Sequence, residues 1–182
     1  MKNHFLILNL LFTSVYSNSN PPSLSSFTSS KNLSMGGAGY LSLSTISPKS
    51  NPANFTSEKQ FSASIIRYPA EITSQSAGFG TSWKDKYVSL SIWSISYGTF
   101  QGYDDYAQKF DKYSSSDARI TGSISNSIKK LPIYYGVSGS FYSSQIYLSN
   151  FYALEFNFGL KVTSEKNNGE LGLSIHNIGK EI

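Results

Sequence analysis

The chain has 182 residues and no cysteine, with 14% charged residues, 15% aromatics and a formal net charge of +4. Without thiols it can build neither a disulfide scaffold nor a thiolate metal site. Its positive residues are dispersed as Lys84, Lys86, Lys109, Lys112, Lys129, Lys130 and Lys161, mostly at turns, so nucleic acid is not an expected partner despite a pI near 9.1.

Residues 1–17 read as a signal peptide. Lys2 supplies the positive start, residues 5–16 form a short apolar run, and Val15-Tyr16-Ser17 offers a small residue at the cleavage point. The run is too short to cross a bilayer comfortably as a helix. An uncleaved anchor or a buried strand is the competing reading.

Residues 18–58 are rich in Ser, Asn, Pro and Gly and read as an irregular segment, because Pro21, Pro22, Pro48 and Pro52 interrupt any ladder. Two pieces stand out. Ser34-Met35-Gly36-Gly37-Ala38-Gly39 is a glycine cluster, and Asn51-Pro52-Ala53 follows about a dozen residues later. A nucleotide-binding glycine loop needs a preceding strand and a following helix, which are missing, so tight turns are expected. Pro52 confines Asn51 to extended backbone at the start of its turn.

From residue 59 to 182 the pattern changes to amphipathic strands. Strand one, 60–68, places Phe61, Ala63 and Ile65 opposite Ser62 and Ser64. Strand two, 76–83, groups Ala77, Phe79 and Trp83, and a polar turn Lys84-Asp85-Lys86 leads to strand three. There the apolar phase flips, from Val88, Leu90 and Ile92 to Trp93, Ile95 and Tyr97. Such a flip implies a β-bulge or a wall covered on both sides over part of its length. A long polar loop is expected at 98–116, with Tyr103, Asp104, Asp105 and Tyr106 as its candidate partner-contact residues.

Strand four, 118–126, opposes Ala118, Ile120, Gly122 and Ile124 to Arg119, Thr121, Ser123 and Ser125. Ile128-Lys129-Lys130 turns the chain into strand five, 131–141. Strand six alternates without fault: Leu154, Phe156, Phe158, Leu160 and Val162 against Glu155, Asn157, Gly159, Lys161 and Thr163. Asn167-Asn168-Gly169 signals a hairpin, and strand seven sets Leu171, Leu173 and Ile175 against Gly172, Ser174 and His176.

Seven amphipathic strands with alternating short and long connections point to an all-β, antiparallel transmembrane barrel of which about half is present. Aromatics near strand ends (Phe61, Tyr68, Trp83, Tyr87, Tyr97, Tyr152) fit interfacial girdles, and the serine-rich face fits a solvated interior. A soluble β-sandwich is the rival, since alternation alone does not say which face meets water.

Several stretches resemble the PorV/PorQ family of outer-membrane proteins from type IX secretion systems, relatives of FadL-type transporters. They are the cluster Gly36, Gly37, Gly39 followed by Asn51-Pro52-Ala53, the run from Tyr97 to Asp105, Ser116-Asp117-Ala118, residues 146–152, and the closing Asn177-Ile178-Gly179. The resemblance implies a FadL-like barrel of fourteen strands in the bacterial outer membrane. It also implies a non-enzymatic role in a protein secretion and cargo-attachment complex, with secretion-system proteins or secreted cargo as partners. Against that pattern this chain supplies seven strands, a fragment or a half that must pair.

No catalytic set is expected, because His4 lies in the signal and His176 stands alone. No cofactor or metal is expected either; Asp104, Asp105 and Asp111 do not follow calcium-loop spacing. Arg119, Glu155 and Lys161 sit on polar strand faces and could tune a lumen. The alternative functions are a FadL-like transporter of hydrophobic small molecules, with the glycine-rich segment as its plug, and a secreted soluble β-sandwich adhesin.

Overall fold

The computed structural model describes residues 27–38, 47, 50–54, 56–129, 131–164 and 169–182. The expected signal peptide, Gly39, Pro48, Lys130 and the Asn167-Asn168 pair lie outside them.

Seven strands form one antiparallel sheet, ordered in space as in the chain. They are β1 (Gln60–Arg67), β2 (Thr73–Trp83), β3 (Lys86–Tyr103), β4 (Lys109–Ser127), β5 (Ile133–Ile146), β6 (Ser149–Ser164) and β7 (Gly169–Glu181). The expected all-β meander is therefore present, and it is an open sheet, with β1 and β7 at its two edges.

The connections differ from the expected alternation of short and long. Trp83 pairs with Lys86, leaving Lys84 and Asp85 as a two-residue turn rather than a three-residue one. Both have positive φ (48° and 62°), the geometry that matches a hairpin turn to strand twist even without glycine. Ile146 pairs with Ser149, so Tyr147 and Leu148 alone join β5 to β6 where a longer loop was expected. The polar stretch 98–116 is mostly ladder, not loop: Thr99 pairs with Ser114, Phe100 with Tyr113, Gln101 with Lys112 and Tyr103 with Lys109. The asymmetry of the two rims thus lies in strand length. β2 and β5 leave the ladder near Ser96 and Ser115, and the β3–β4 hairpin runs on as a two-stranded arm.

Two register shifts set that arm off. At the first, Tyr97 and Gly98 oppose Ser115 alone, and Gly98 adopts φ +82°, a conformation that costs glycine little. A third shift lies between β6 and β7, where Asn157 faces both His176 and Asn177; Asn177 has φ +58° and its N–H donates to Asn157 Oδ1 at 2.8 Å.

The phase flip in β3 is not a bulge. Pairing runs unbroken from Lys86 to Ser96. Trp93 and Ile95 instead occupy the other face, where they pack with Tyr142 and Ala153 in a small apolar cluster. Tyr87 and Tyr97 also lie on that face, Tyr87 fully buried, so they do not belong to an apolar-face girdle. Phe61, Trp83 and Tyr152 remain exposed.

The segment before the sheet is not wholly irregular. Helix α1 (Ser30–Ser34) starts where the Ser29 hydroxyl accepts from the Asn32 N–H at 3.2 Å, a standard N-cap. Gly36 and Gly37 end it with φ +61° and +84°, and the Gly37 N–H donates back to the Asn32 carbonyl at 2.9 Å. The Gly36-Gly37 pair is a helix stop. The Ser30 N–H reaches the Ser64 hydroxyl at 2.9 Å, which places α1 against β1.

Candidate functional site

The two faces of the sheet have opposite chemistry, and the polar one is buried. Phe61, Phe79, Leu90, Ile92, Ile120, Phe156, Leu171 and Leu173 are all exposed, and register puts them on one face. Buried on the other are Ser74, Ser91, Asp117, Arg119, Thr121, Ser125, Ser138, Ser140, Glu155, Asn157 and Lys161. Period-two alternation puts these sets on opposite sides; nothing in periodicity decides which is covered.

Many of these polar side chains hydrogen-bond to one another in rows that cross the strands, whereas Ser125 Oγ, Arg119 Nε and Glu155 Oε2 are buried without a hydrogen-bond partner. Thr121 and Ser140 hydroxyls lie 2.9 Å apart, Asn157 Nδ2 donates to Ser138 Oγ at 2.8 Å, and Ser89 and Ser123 share a 2.5 Å hydrogen bond. Trp93 Nε1 donates to Ser74 Oγ at 2.9 Å, and the Tyr97 hydroxyl to Asp117 Oδ2 at 2.9 Å. Small hydroxyls recurring on neighbouring strands make this mesh possible, and burial makes it necessary.

At the centre sits a buried ion pair. Trp93 pairs with Arg119, Arg119 with Tyr142, and Tyr142 with Ala153, one row across β3 to β6. Arg119 Nε stands 3.4 Å from Glu155 Oε2, reached diagonally across β5, with both side chains about 5% exposed. Its guanidinium carbon lies 5.9 Å from the Trp93 ring centre and 5.8 Å from that of Tyr142. The charge is thus countered by a carboxylate and flanked by two π faces, which offset part of the desolvation of a buried arginine. Nearer the rim of the Lys84-Asp85 turn, Lys161 Nζ lies 3.7 Å from Glu170 Oε1 and 5.3 Å from the Tyr134 ring.

Asn51, Pro52 and Ala53 form a wedge on this same face. Asn51 Nδ2 donates to the carbonyls of Leu160 and Leu173, at 3.2 and 3.3 Å, while its Oδ1 accepts from the Ala53 N–H at 2.8 Å. The wedge sits over two glycines that face each other across β5 and β6. A Cβ on Gly136 would overlap the Pro52 carbonyl, and one on Gly159 would overlap Asn51 Oδ1. Glycine is needed here for close approach, not for its φ.

No family model matches the chain, and no curated protein or solved structure matches it either. Residue roles therefore rest on geometry.

Of the motif residues, Asn51, Pro52 and Ala53 reach the buried polar face, whereas Gly36 and Gly37 end α1 and Gly39 lies outside the described residues. Tyr103, Asp104, Asp105 and Tyr106 occupy the tip of the β3–β4 arm, at the rim opposite the Lys84-Asp85 turn. Asp104 Oδ1 accepts from the N–H groups of Tyr106 and Gln108, at 3.0 and 2.7 Å, which folds the tip into a side-chain-capped turn. Tyr103 and Tyr106 stay exposed. Further down the arm Phe100 stacks on Tyr113 at 5.5 Å, and Tyr113 meets Tyr147 edge-on at 5.3 Å.

Among the described residues, no three His, Cys, Asp or Glu come together as metal ligands, and no helix is long and apolar enough to cross a membrane. Sequence reasoning missed the Trp93–Arg119–Tyr142 row and the pairing of Gly136 with Gly159. Glycines in mid-strand on a polar face were the available signal for the second.

Proposed function

We propose that this sheet is the wall of an outer-membrane β-barrel of the PorV/PorQ-like kind, serving a protein secretion and cargo-attachment complex. The observation that carries the reading is the inversion of its faces: large apolar side chains are exposed on one, and hydrogen-bonded polar ones are buried on the other. Soluble monomers rarely leave a contiguous apolar patch beyond roughly several hundred Å², and here such side chains recur on all seven strands. In lipid the same face is at home, and the polar mesh becomes a lumen lining.

A β-sandwich would place covering elements over the apolar face. Here α1 and the 50–54 wedge both pack on the polar face, and among the described residues nothing covers the other. The arm, with its exposed tyrosines, supplies a partner contact beyond one rim. The secretion role rests on the motif resemblance.

Extraction of washed membranes tests the first part. The protein is expected to resist carbonate and salt and to dissolve in detergent; release without detergent sinks the barrel. Deleting the gene tests the second. Secreted cargo is expected to lose its surface attachment while fatty-acid uptake is unchanged, and the reverse outcome would assign transport instead.

A further inference from the structure

At the Lys84-Asp85 turn the apolar face ends in a row of hydrogen-bond donors. Cross-strand register sets Trp83 beside Lys86, Lys86 beside Asn126 and Asn126 beside Tyr135, one line over β2 to β5. Trp83 lies four residues from Phe79 and Lys86 four from Leu90, so the row belongs to the apolar face and not to the buried polar one. Lys84 Nζ stands 5.2 Å from the Trp83 ring centre, which brings a second ammonium to the same side. Among the described residues no carboxylate pairs with Lys84 or Lys86, while Asp85 lies 3.8 Å from Lys129. Three lysines against one aspartate leave this turn with a local charge of +2. The Asn126 amide donates to the Tyr135 hydroxyl at 3.5 Å, which leaves the hydroxyl proton and a second amide N–H for a ligand.

Two strands of this row lead into a hollow. It has a volume of about 520 Å³ and opens on the apolar face between Gly122, Ile124, Val137, Gly139, Phe156 and Phe158. Ile124 pairs with Val137 in the row next to Asn126 and Tyr135, and Gly122 with Gly139 in the row after that. Nothing inside the chain asks for glycine at 122, because its φ is not left-handed and a Cβ there would meet open space. A mid-strand glycine of that kind lets another molecule approach the backbone.

The depth of the row agrees with the level of lipid headgroups. On β3 the same face turns polar again at Ser94, which pairs with Gln75 and lies eight residues beyond Lys86. That is about 27 Å of strand and roughly 20 Å of height at the usual barrel tilt, near the ~25 Å apolar band of such walls.

We propose that this row is the seat of an anionic glycerophospholipid. Its phosphate lies against Lys84 and Lys86, and its ester oxygens accept from Asn126 and Tyr135. One acyl chain runs along Ile124 and Val137 into the hollow at Gly122 and Gly139. Charge selects the occupant, since a zwitterionic lipid carries its own cation and gains less from two lysines. The seat rests on the membrane reading above and adds to it a preferred lipid.

Trp83 can report on its own surroundings, because the other tryptophan of the chain, Trp93, is 3% exposed on the opposite face. The full chain is folded into phosphatidylcholine vesicles that contain a small share of lipid with brominated, fluorescence-quenching chains. These chains are carried on either phosphatidylglycerol or phosphatidylcholine. At about 5 mol% brominated lipid, the anionic form is expected to be enriched about tenfold at Trp83 over the choline form. Lys84→Gln combined with Lys86→Gln is expected to abolish the preference. Gly122→Leu, which fills the hollow without touching the charge, is expected to reduce it about threefold. Equal quenching by the two headgroups in the parent overturns the proposal, as does a preference that survives the loss of both lysines. A preference untouched by Gly122→Leu overturns the placement of the acyl chain. If neither brominated lipid quenches Trp83 and carbonate releases the protein, the membrane reading falls. Quenching by both alike leaves that reading standing and sinks the lipid seat alone.

Discussion

Gly136 and Gly159 are direct partners across the β5–β6 ladder, and the 51–53 turn fills the space above both. Gly159→Ala forces a Cβ into Asn51 Oδ1, and Gly136→Ala into the Pro52 carbonyl. Each is expected to cost about 1–3 kcal/mol, the usual range for overpacking a filled site. Gly122, by contrast, has open space where its Cβ would go. Gly122→Ala is expected to leave the urea midpoint of the detergent-folded protein in place. Equal midpoints for the Gly159 and Gly122 variants would mean that the turn is not seated as described.

Asn51 acts through its amide N–H groups. Asn51→Ala and Asn51→Asp are both expected to lose about 1–3 kcal/mol, because each removes the donor to Leu160 and Leu173. The aspartate keeps an oxygen for the Ala53 N–H. Limited proteolysis at 50–54 checks this directly: both variants should be nicked faster than the parent. An aspartate variant as resistant as the parent would assign the effect to the local turn alone.

The Arg119–Glu155 pair is expected to be strongly coupled. Arg119→Met leaves a buried carboxylate uncompensated and should cost about 3–5 kcal/mol, whereas Arg119→Met with Glu155→Gln should recover much of that loss. A double-mutant cycle read by denaturant midpoints measures the coupling. Additive losses would show that the two charges do not see each other.

The two faces should answer oppositely to one substitution. Phe156→Arg places a charge on the apolar face and is expected to cost about 2–4 kcal/mol at mid-bilayer depth, lowering the carbonate-resistant fraction. Ser62→Arg, on the polar side of an edge strand where its side chain is exposed, should leave that fraction unchanged. If the arginine at 156 is tolerated and membrane retention persists, the apolar face does not contact lipid.

Much of this architecture was legible in alternation alone. Strand six is the clearest case, because five apolar residues at even spacing admit one phase. The arm was not, since the stretch 98–116 is rich in Gly, Tyr, Ser and Asp and reads as loop. Its ladder is held by cross-strand pairs such as Phe100 with Tyr113, which a single strand's composition does not reveal. The helix α1 escaped for the opposite reason: five residues are too short for a period, and its cues were the Ser29 cap and the glycines that end it. The flip at Ile92 and Trp93 admitted two explanations and fits neither, because pairing is unbroken there and Leu90 and Ile92 stay exposed while Trp93 packs with Tyr142 on the polar face. As for the site, Arg119 and Glu155 were visible as polar-face residues, but their meeting depends on the register of two ladders. The seat of Asn51 depends on residues far ahead in the chain.

That distance has a temporal meaning. Each strand pairs with its neighbour in the chain, so the sheet can be laid down one hairpin at a time with little loop closure to pay at any step. Asn51 breaks the sequence, because its two acceptors come 109 and 122 residues later. The latch cannot engage until the sixth and seventh strands are in place. Its engagement therefore reports that β6 and β7 have paired.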